Sequence, residues 1–321
     1  MRVFLTGATG FIGRHVARLL AARGHEVVAL SRQVVNQPTD SGLADNGLAD
    51  NGLADSSPSG RVRWGRWEAI APSETLRQWD VGPNDSFLHL GWYAEPGQYI
   101  ESPANVDCLV QSLELARALL ARQVGQFVMA GTCLEYDTRH GWLVEDGPTA
   151  PESLYATTKL AMTATVRRLA IGGATRVATG RIFHLYGPGE DRRRVVPAAA
   201  GALLAGRRFA TSAGHQIRDF LHVEDVASAF VTLLERQAEG IVNIASGEPL
   251  ALRRLVERIG ELVGRPELID FGAVGLRPGE PECLAGSNAK LRSLGWRPRY
   301  GLDDGLRSYL EPFAADAVRD N

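Results

Sequence analysis

Apolar positions follow two alternating patterns along the chain. Short apolar runs bounded by turn residues predict buried strands at Val3-Phe4-Leu5, Glu26-Val27-Val28-Ala29-Leu30, Phe87-Leu88-His89-Leu90-Gly91 and Gln126-Phe127-Val128-Met129-Ala130. Weaker runs predict further strands over residues 61–64, 176–183 and 241–244. Between the runs, apolar residues recur every three or four positions. Val16, Leu19 and Leu20 predict a helix that ends at Gly24. Val106, Leu109, Val110, Leu113, Ala116, Leu119 and Leu120 predict a longer helix over 102–122, with Cys108 as a packing residue. Pro151-Glu152 opens another, running to Ile171. Strands alternating with helices predict an α/β fold, a doubly wound parallel sheet covered on both faces, with ligands at the carboxyl ends of its strands.

Two stretches break the pattern. Gly42-Leu43-Ala44-Asp45-Asn46 is repeated at 47–51 and starts again at Gly52. This unit has no sustained period, and its Asn-Gly steps are turn signals, so residues 36–60 are expected to be a flexible surface insertion. In the last third, Pro, Gly and Arg cluster at Gly187-Pro188-Gly189, over 191–194 and at Arg277-Pro278-Gly279. Short helices are predicted near 250–263 and 303–310. This material is expected to form a smaller, lid-like domain.

Composition narrows the function classes. The 321 residues suffice for about two domains. A net charge of -2 argues against nucleic acid as a partner. No apolar run approaches the roughly 18 residues of a membrane span, and none resembles a signal-peptide core. The three cysteines, Cys108, Cys133 and Cys283, are widely spaced. They suit a reducing cytoplasm and suggest neither a disulfide framework nor a metal site. Of the 35 basic residues only Lys159 and Lys290 are lysines. A retained lysine is therefore a candidate for work that needs a compact ammonium.

The candidate chemistry begins at Thr6-Gly7-Ala8-Thr9-Gly10-Phe11-Ile12-Gly13, which reads as strand, tight turn, helix. Gly7 suits the turn, Gly10 lets a pyrophosphate approach the backbone, and Gly13 lets the helix pack close to the strand. The helix N-terminus offers free N–H groups to phosphate. After the second strand, NAD-preferring folds carry an acidic residue; here Ser31-Arg32 stands instead. A hydroxyl followed by arginine suits a 2′-phosphate, so NADP(H) is the expected cofactor and NAD(H) the alternative. An ordinary surface arginine is the simpler account of Arg32. Further on, Tyr155 and Lys159 lie four apart on one helix face. The cation is expected to lower the phenol's pKa and make Tyr155 a usable acid or base. Thr132, at the end of a strand, is placed to hold the oxygen that Tyr155 protonates.

With these residues in place the chain resembles the extended short-chain dehydrogenase/reductases, the nucleotide-sugar epimerase, dehydratase and reductase group. The resemblance runs from Met1 to about Leu310. It rests on residues 6–13, His89-Leu90-Gly91, Asn105, Thr132 with Tyr136, Tyr155 with Lys159, Tyr186-Gly187-Pro188-Gly189, residues 218–225 and Leu294-Gly295-Trp296. It implies a Rossmann sheet with a second, smaller mixed substrate-binding domain. Residues 1–175 would form the dinucleotide-binding domain, with 217–246 returning to it; 176–216 and 247–321 would bind substrate. It also implies catalysis by Thr132, Tyr155 and Lys159. Gly7, Thr9, Gly10, Phe11, Ile12, Gly13, Ser31, Arg32, Leu90, Gly91, Tyr155 and Lys159 would hold the cofactor. Thr132, Arg218 and Arg277 would meet a nucleoside-diphosphate sugar, the arginines at its diphosphate. A structural ion pair with Asp219 or Asp225 is the other reading of Arg218. A homodimer in the cytoplasm is expected.

The chain departs from the family at several places. His184 stands where an asparagine is usual, as a substrate contact or a neutral strand-end histidine. Trp92-Tyr93 could wall the sugar pocket or pack the seam between domains. Cys133 and Leu134 replace the Asp-Glu pair of 4,6-dehydratases, and Glu135 is expected to face elsewhere. The expected activity is NADPH-dependent reduction of a keto-sugar nucleotide. Epimerisation with a retained cofactor is the alternative. A non-catalytic cofactor-sensing protein would not need both Tyr155 and Lys159.

Overall fold

The computed structural model of the protein describes residues 1–32, 62–67, 71–276 and 279–319, with residues 312–319 described by backbone only. The repeat-bearing stretch 36–60 and Arg277 lie outside the described residues. The chain runs β1 (Arg2–Thr6), α1 (Phe11–Ala22), β2 (Glu26–Ser31), β3 (Val62–Arg66), α2 (Pro72–Gln78), β4 (Asp85–His89), α3 (Ala104–Ala121), β5 (Gln126–Thr132), β6 (Trp142–Leu143), α4 (Leu154–Leu169) and β7 (Arg176–Ile182). There follow β8 (His184–Tyr186), α5 (Val195–Leu204), β9 (Phe209–Thr211), β10 (Ile217–His222), α6 (Val223–Glu235), β11 (Gly240–Ile244), β12 (Pro249–Ala251), α7 (Leu252–Val263), β13 (Ile269–Phe271), β14 (Cys283–Gly286), α8 (Ala289–Ser293) and α9 (Leu302–Arg319).

Seven strands in the order β11-β7-β5-β4-β1-β2-β3 form one sheet, parallel throughout. This is the doubly wound Rossmann arrangement. Strands β1, β2, β4 and β5 are buried on both faces, which is why they read as strong apolar runs, whereas β3 at the edge stays partly exposed. Successive residues still separate by face. Val3, Leu5, Val27 and Ala29 pack with Val16 and Leu20 of α1 and Phe230 and Leu234 of α6. Phe4, Val28, Phe87 and Phe127 pack on the other side with Leu76 of α2, Leu115 and Leu119 of α3 and Met162 of α4.

A second sheet of five strands runs β12-β10-β14-β6, with β8 also on β10. It carries the third apolar cluster, in which Val196 and Leu203 of α5 meet Leu255 and Ile259 of α7 and Leu306 of α9. Arg176–Ile182 belongs to the large sheet, so a boundary at residue 175 would cut a strand from it. The chain's later return to that sheet is made by α6 and β11, while Ile217–His222 pairs in the smaller one.

Two expectations about helices need correction. The apolar period of α3 is its buried face only in part: Leu109, Leu113, Ala116, Leu119 and Leu120 pack on the core, but Val106 and Val110 are 45% and 56% exposed, while Asn105 and Ser112 are buried. Helices α2, α5, α6 and α8 have no counterpart among the predicted elements. In α6, Val226, Ala227, Ala229, Phe230, Val231, Leu233 and Leu234 are all buried, so the helix is covered nearly all round. Among the described residues, no helix is long and apolar enough to cross a membrane.

Candidate active site

The glycine turn leads from β1 into α1. Gly7 takes φ +76°, and a Cβ there would stand 2.8 Å from the backbone of Leu90 and Gly91. A side chain on Gly13 would overlap the Gly7 carbonyl, so this glycine lets α1 lie against the turn. Gly10 caps α1 without a side-chain cap, and a Cβ on it would meet just its own turn, the Gly7 oxygen at 3.2 Å. The first turn of α1 carries no acidic residue. An exposed, uncapped helix N-terminus behind a side-chain-free backbone fits a pyrophosphate. Thr9 is exposed beside it, Phe11 and Ile12 are half-buried, and Leu90 and Gly91 close the neighbouring strand end.

Basic residues stand at the ends of β2 and β3. Ser31 ends β2, half-buried, and Arg32 follows it exposed. The β2–β3 register sets Arg66 opposite Ser31. Trp67 is buried in the apolar core and its backbone N–H donates to the Ser31 carbonyl at 2.8 Å.

His89 ties the strand ends together. Its Nδ1 lies 2.7 Å from Thr6 Oγ1 and its Nε2 2.9 Å from Ser112 Oγ. Burial, then the charge of Lys159, pulls its pKa down to about 3. The unfolded imidazole takes a proton near pH 6.5 and the folded one does not until about pH 3, so acid favours the unfolded chain. Stability is therefore expected to fall across pH 6.5 to 3 by up to about 1.4 kcal/mol per pH unit from this residue. His89→Gln should flatten that slope in urea titrations run at successive pH values; an unchanged slope would refute the assignment.

At the end of β5, Thr132 is buried and its backbone N–H donates to Glu135 Oε1 at 2.8 Å. The other Glu135 oxygen accepts from Arg181 Nε at 2.9 Å, with both side chains essentially unexposed. The Arg181 guanidinium also lies over the Tyr136 ring at 4.1 Å. Burial pushes the Glu135 carboxyl up, while Arg181 and the Thr132 N–H favour its ionised form. The sequence does not pair Glu135 with Arg181, because they lie 46 residues apart and nothing local connects them.

Ser153 caps α4, its Oγ accepting from Ala156 N at 3.2 Å, which puts Tyr155 in the first turn. The Tyr155 phenol lies beside the Thr132 side chain, which acts to lower the phenol's pKa against the effect of burial. Tyr99 packs edge-on against its ring at 4.8 Å. Lys159 is buried and donates to the Ala130 carbonyl at 2.9 Å. The expected lowering of the Tyr155 pKa by Lys159 is overturned. Burial outweighs other influences and holds the phenol well above its ordinary value, with Tyr99, Cys133 and Glu135 adding to the rise. Lys159 itself is pulled down to about 7 by burial, against the influence of Glu135 and Cys108. Cys133 is buried and its thiol pushed up to about 12, chiefly by burial.

The smaller sheet faces this edge. Arg218 is buried, and it pairs with neither Asp219 nor Asp225. Its guanidinium donates to Glu280 Oε1 at 2.7 Å. Asp219 accepts instead from the N–H groups of Ser246 and Gly247, and Asp225 from those of Arg299 and Tyr300. His184 packs at a tilt against Phe220, ring centroids 5.4 Å apart, with its Nδ1 buried and without a partner. Burial, then Arg218 and Arg194, brings His184 down to about 3, so it is neutral. The Tyr186-Gly187-Pro188-Gly189 loop is tied to α1: His15 Nε2 meets the Pro188 carbonyl at 2.9 Å and Arg14 the Gly189 carbonyl at 3.4 Å.

Comparison with known proteins agrees with this architecture. Residues 3–245 match the family described as NAD dependent epimerase/dehydratase. The chain is 26% identical to a UDP-glucose 4-epimerase of Corynebacterium glutamicum, over 97% of this chain and 94% of that protein. It is 26% identical to the GDP-6-deoxy-D-mannose reductase of Pseudomonas aeruginosa, over 96% of each. The solved structure of Thermus thermophilus UDP-glucose 4-epimerase with NAD superposes with a TM-score of 0.78 at 26% identity, covering 98% of this chain and 99% of that one. The chain therefore belongs to the NAD dependent epimerase/dehydratase family and is an NAD(P)-dependent enzyme of the extended short-chain dehydrogenase/reductase type.

Proposed function

We propose that the protein is an NADPH-dependent reductase of a keto-sugar nucleotide, probed best with a 4-keto-6-deoxyhexose joined to a nucleoside diphosphate. The observation that carries this reading is one juxtaposition: the Tyr155 phenol against the Thr132 hydroxyl, with Lys159 anchored one helical turn on at the end of β5. In this reading Gly7, Thr9, Gly10, Phe11, Ile12 and Gly13 hold the pyrophosphate. Ser31 and Arg32 hold the 2′-phosphate, Leu90 and Gly91 line the dinucleotide, and Tyr155 and Lys159 meet the nicotinamide ribose. Arg218, His184 and Arg277 take the nucleotide sugar, the arginines at its diphosphate. Bound NADPH supplies hydride to the keto carbon. Tyr155 gives its proton to the new alkoxide and Thr132 holds the oxygen.

The electrostatics favour an acid over a base. A phenol held above its ordinary pKa is protonated at neutral pH, as reduction requires. Dehydration would need carboxyl groups after Thr132. Leu134 transfers no proton, the Cys133 thiol is held neutral, and Glu135 is committed to Arg181 and the Thr132 N–H. The similarity to a named reductase supports the same reading.

NADPH is expected to bind at least ~10-fold more tightly than NADH, a difference of about 1.4 kcal/mol. Arg32→Ala should erase most of that gap; equal affinities in the unaltered protein would remove the NADP assignment. The reaction is tested by stoichiometry. A 4-keto-6-deoxy sugar nucleotide should consume one NADPH per product formed. Epimerisation of an unoxidised sugar nucleotide without net NADPH loss would establish the second reading, which the likeness to UDP-glucose 4-epimerases supports. A cytoplasmic homodimer formed through α3, where Val106 and Val110 are exposed, completes the proposal.

A further inference from the structure

Lys159 is 4% exposed, a costly setting for a cation. One of its N–H groups is directed to the Ala130 carbonyl. Against the rest of the charge lies an aromatic face: Nζ is 3.9 Å from the centre of the Trp92 ring, well inside the ~6 Å reach of a cation–π contact. The Tyr155 ring is farther, at 6.0 Å.

Trp92 is itself held in place. Its Nε1 donates to Asn105 Oδ1 at 2.8 Å. Asn105, fully buried at the start of α3, donates from Nδ2 to the carbonyls of Tyr99 at 2.6 Å and Ser102 at 3.0 Å. The N–H of the next residue, Tyr93, is directed at Cys108 Sγ at 3.4 Å. The indole thus reaches across from the end of β4 with its edge pinned to α3 and its face toward α4. A ring that merely filled the seam would need neither the pinned edge nor this approach to the ammonium.

We propose that Trp92 is a positioning residue for Lys159: its indole face, locked by Asn105, holds the ammonium at the end of β5 and leaves its remaining N–H groups to the Tyr155 side. The consequence for turnover rests on the catalytic reading above, but the contact is testable without it. Other groups facing Lys159 are Glu135 in the turn after β5 and Cys108 on α3, which favour its charged form, and His89 on β4, which is neutral. Trp92 adds an attraction that none of these provides.

The chain has just two lysines, which makes the test direct. Protein labelled with 13C-lysine gives two side-chain methylene signals beside the ammonium, and Lys290→Arg assigns them. Lys290 is exposed and hydrogen-bonds the Ile241 carbonyl. In the unaltered protein the Lys159 protons should lie well upfield of those of Lys290, because they sit over the indole face. Trp92→Leu should abolish that displacement and lower the Lys159 titration midpoint by ~0.5–1 pH unit. Trp92→Phe keeps a π face without the Asn105 bond and should retain most of the midpoint. The high-pH limb of kcat/KM should move down with it. Lys159 signals at the Lys290 position in the unaltered protein would overturn the proposal, even if Trp92→Leu does not fold. So would equal midpoints in all three proteins, or lost turnover with an unmoved midpoint. Absent turnover with a shifted midpoint would count against the catalytic reading alone.

Discussion

Tyr155→Phe is expected to lower turnover by roughly 10²–10⁴ while leaving cofactor affinity nearly unchanged, the range for loss of a positioned proton donor. The substitution removes one oxygen from a ring whose position is set by other contacts. Tyr99 packs against that ring, and the Tyr155 N–H is held by the Ile100 carbonyl at 2.9 Å. The ring should stay in place and the loss should be chemical. Burial keeps the phenol protonated well past neutral pH, so the reductive reaction should decline first as pH rises through about 7, where Lys159 loses its proton. Lys159→Arg is expected to fail as well. The planar fork is larger than an ammonium and cannot occupy the gap between the Ala130 carbonyl and the Trp92 face in the same way. Steady-state kinetics with a keto-sugar nucleotide, beside a fluorescence titration of NADPH, check both. Near-normal turnover in Tyr155→Phe would remove the mechanism.

Glu135→Ala is the change expected to cost the most stability. It would strand Arg181, 1% exposed, without its carboxylate. Breaking a buried ion pair from one side costs about 3–5 kcal/mol, a large share of the ~5–15 kcal/mol that holds a typical domain together. Glu135 also accepts from the Thr132 N–H, so its loss frees the end of β5 and should lower turnover in whatever protein folds. Replacing both partners with methionine should recover much of the stability, since a neutral pair has no charge to leave unsolvated. It should not recover the turnover, because the Thr132 N–H still lacks its acceptor. Urea unfolding decides the first point: a loss under about 1 kcal/mol in Glu135→Ala would mean that water or Tyr136 already satisfies Arg181.

What the amino-acid order determined by itself is what depends on neighbours along the chain. The apolar runs marked β1, β2, β4 and β5 because burial on both faces leaves little polar alternation to blur them. The glycines at 7, 10 and 13 announced their turn because backbone geometry is a local property. Tyr155 and Lys159 share a helix face because four residues make about one turn. Tertiary structure decided what each of these groups meets. Arg181 reaches Glu135 across 46 residues, and Arg218 finds Glu280 across 62, in preference to the aspartates beside it in sequence. Asn105 and Ser112, rather than Val106 and Val110, turn inward on α3, because the helix must present partners to Trp92 and His89. Spacing alone suggested that Lys159 would lower the Tyr155 pKa. Removal from water, which no local spacing encodes, reversed the sign, because desolvation is set by everything that packs around a group and not by its sequence neighbours.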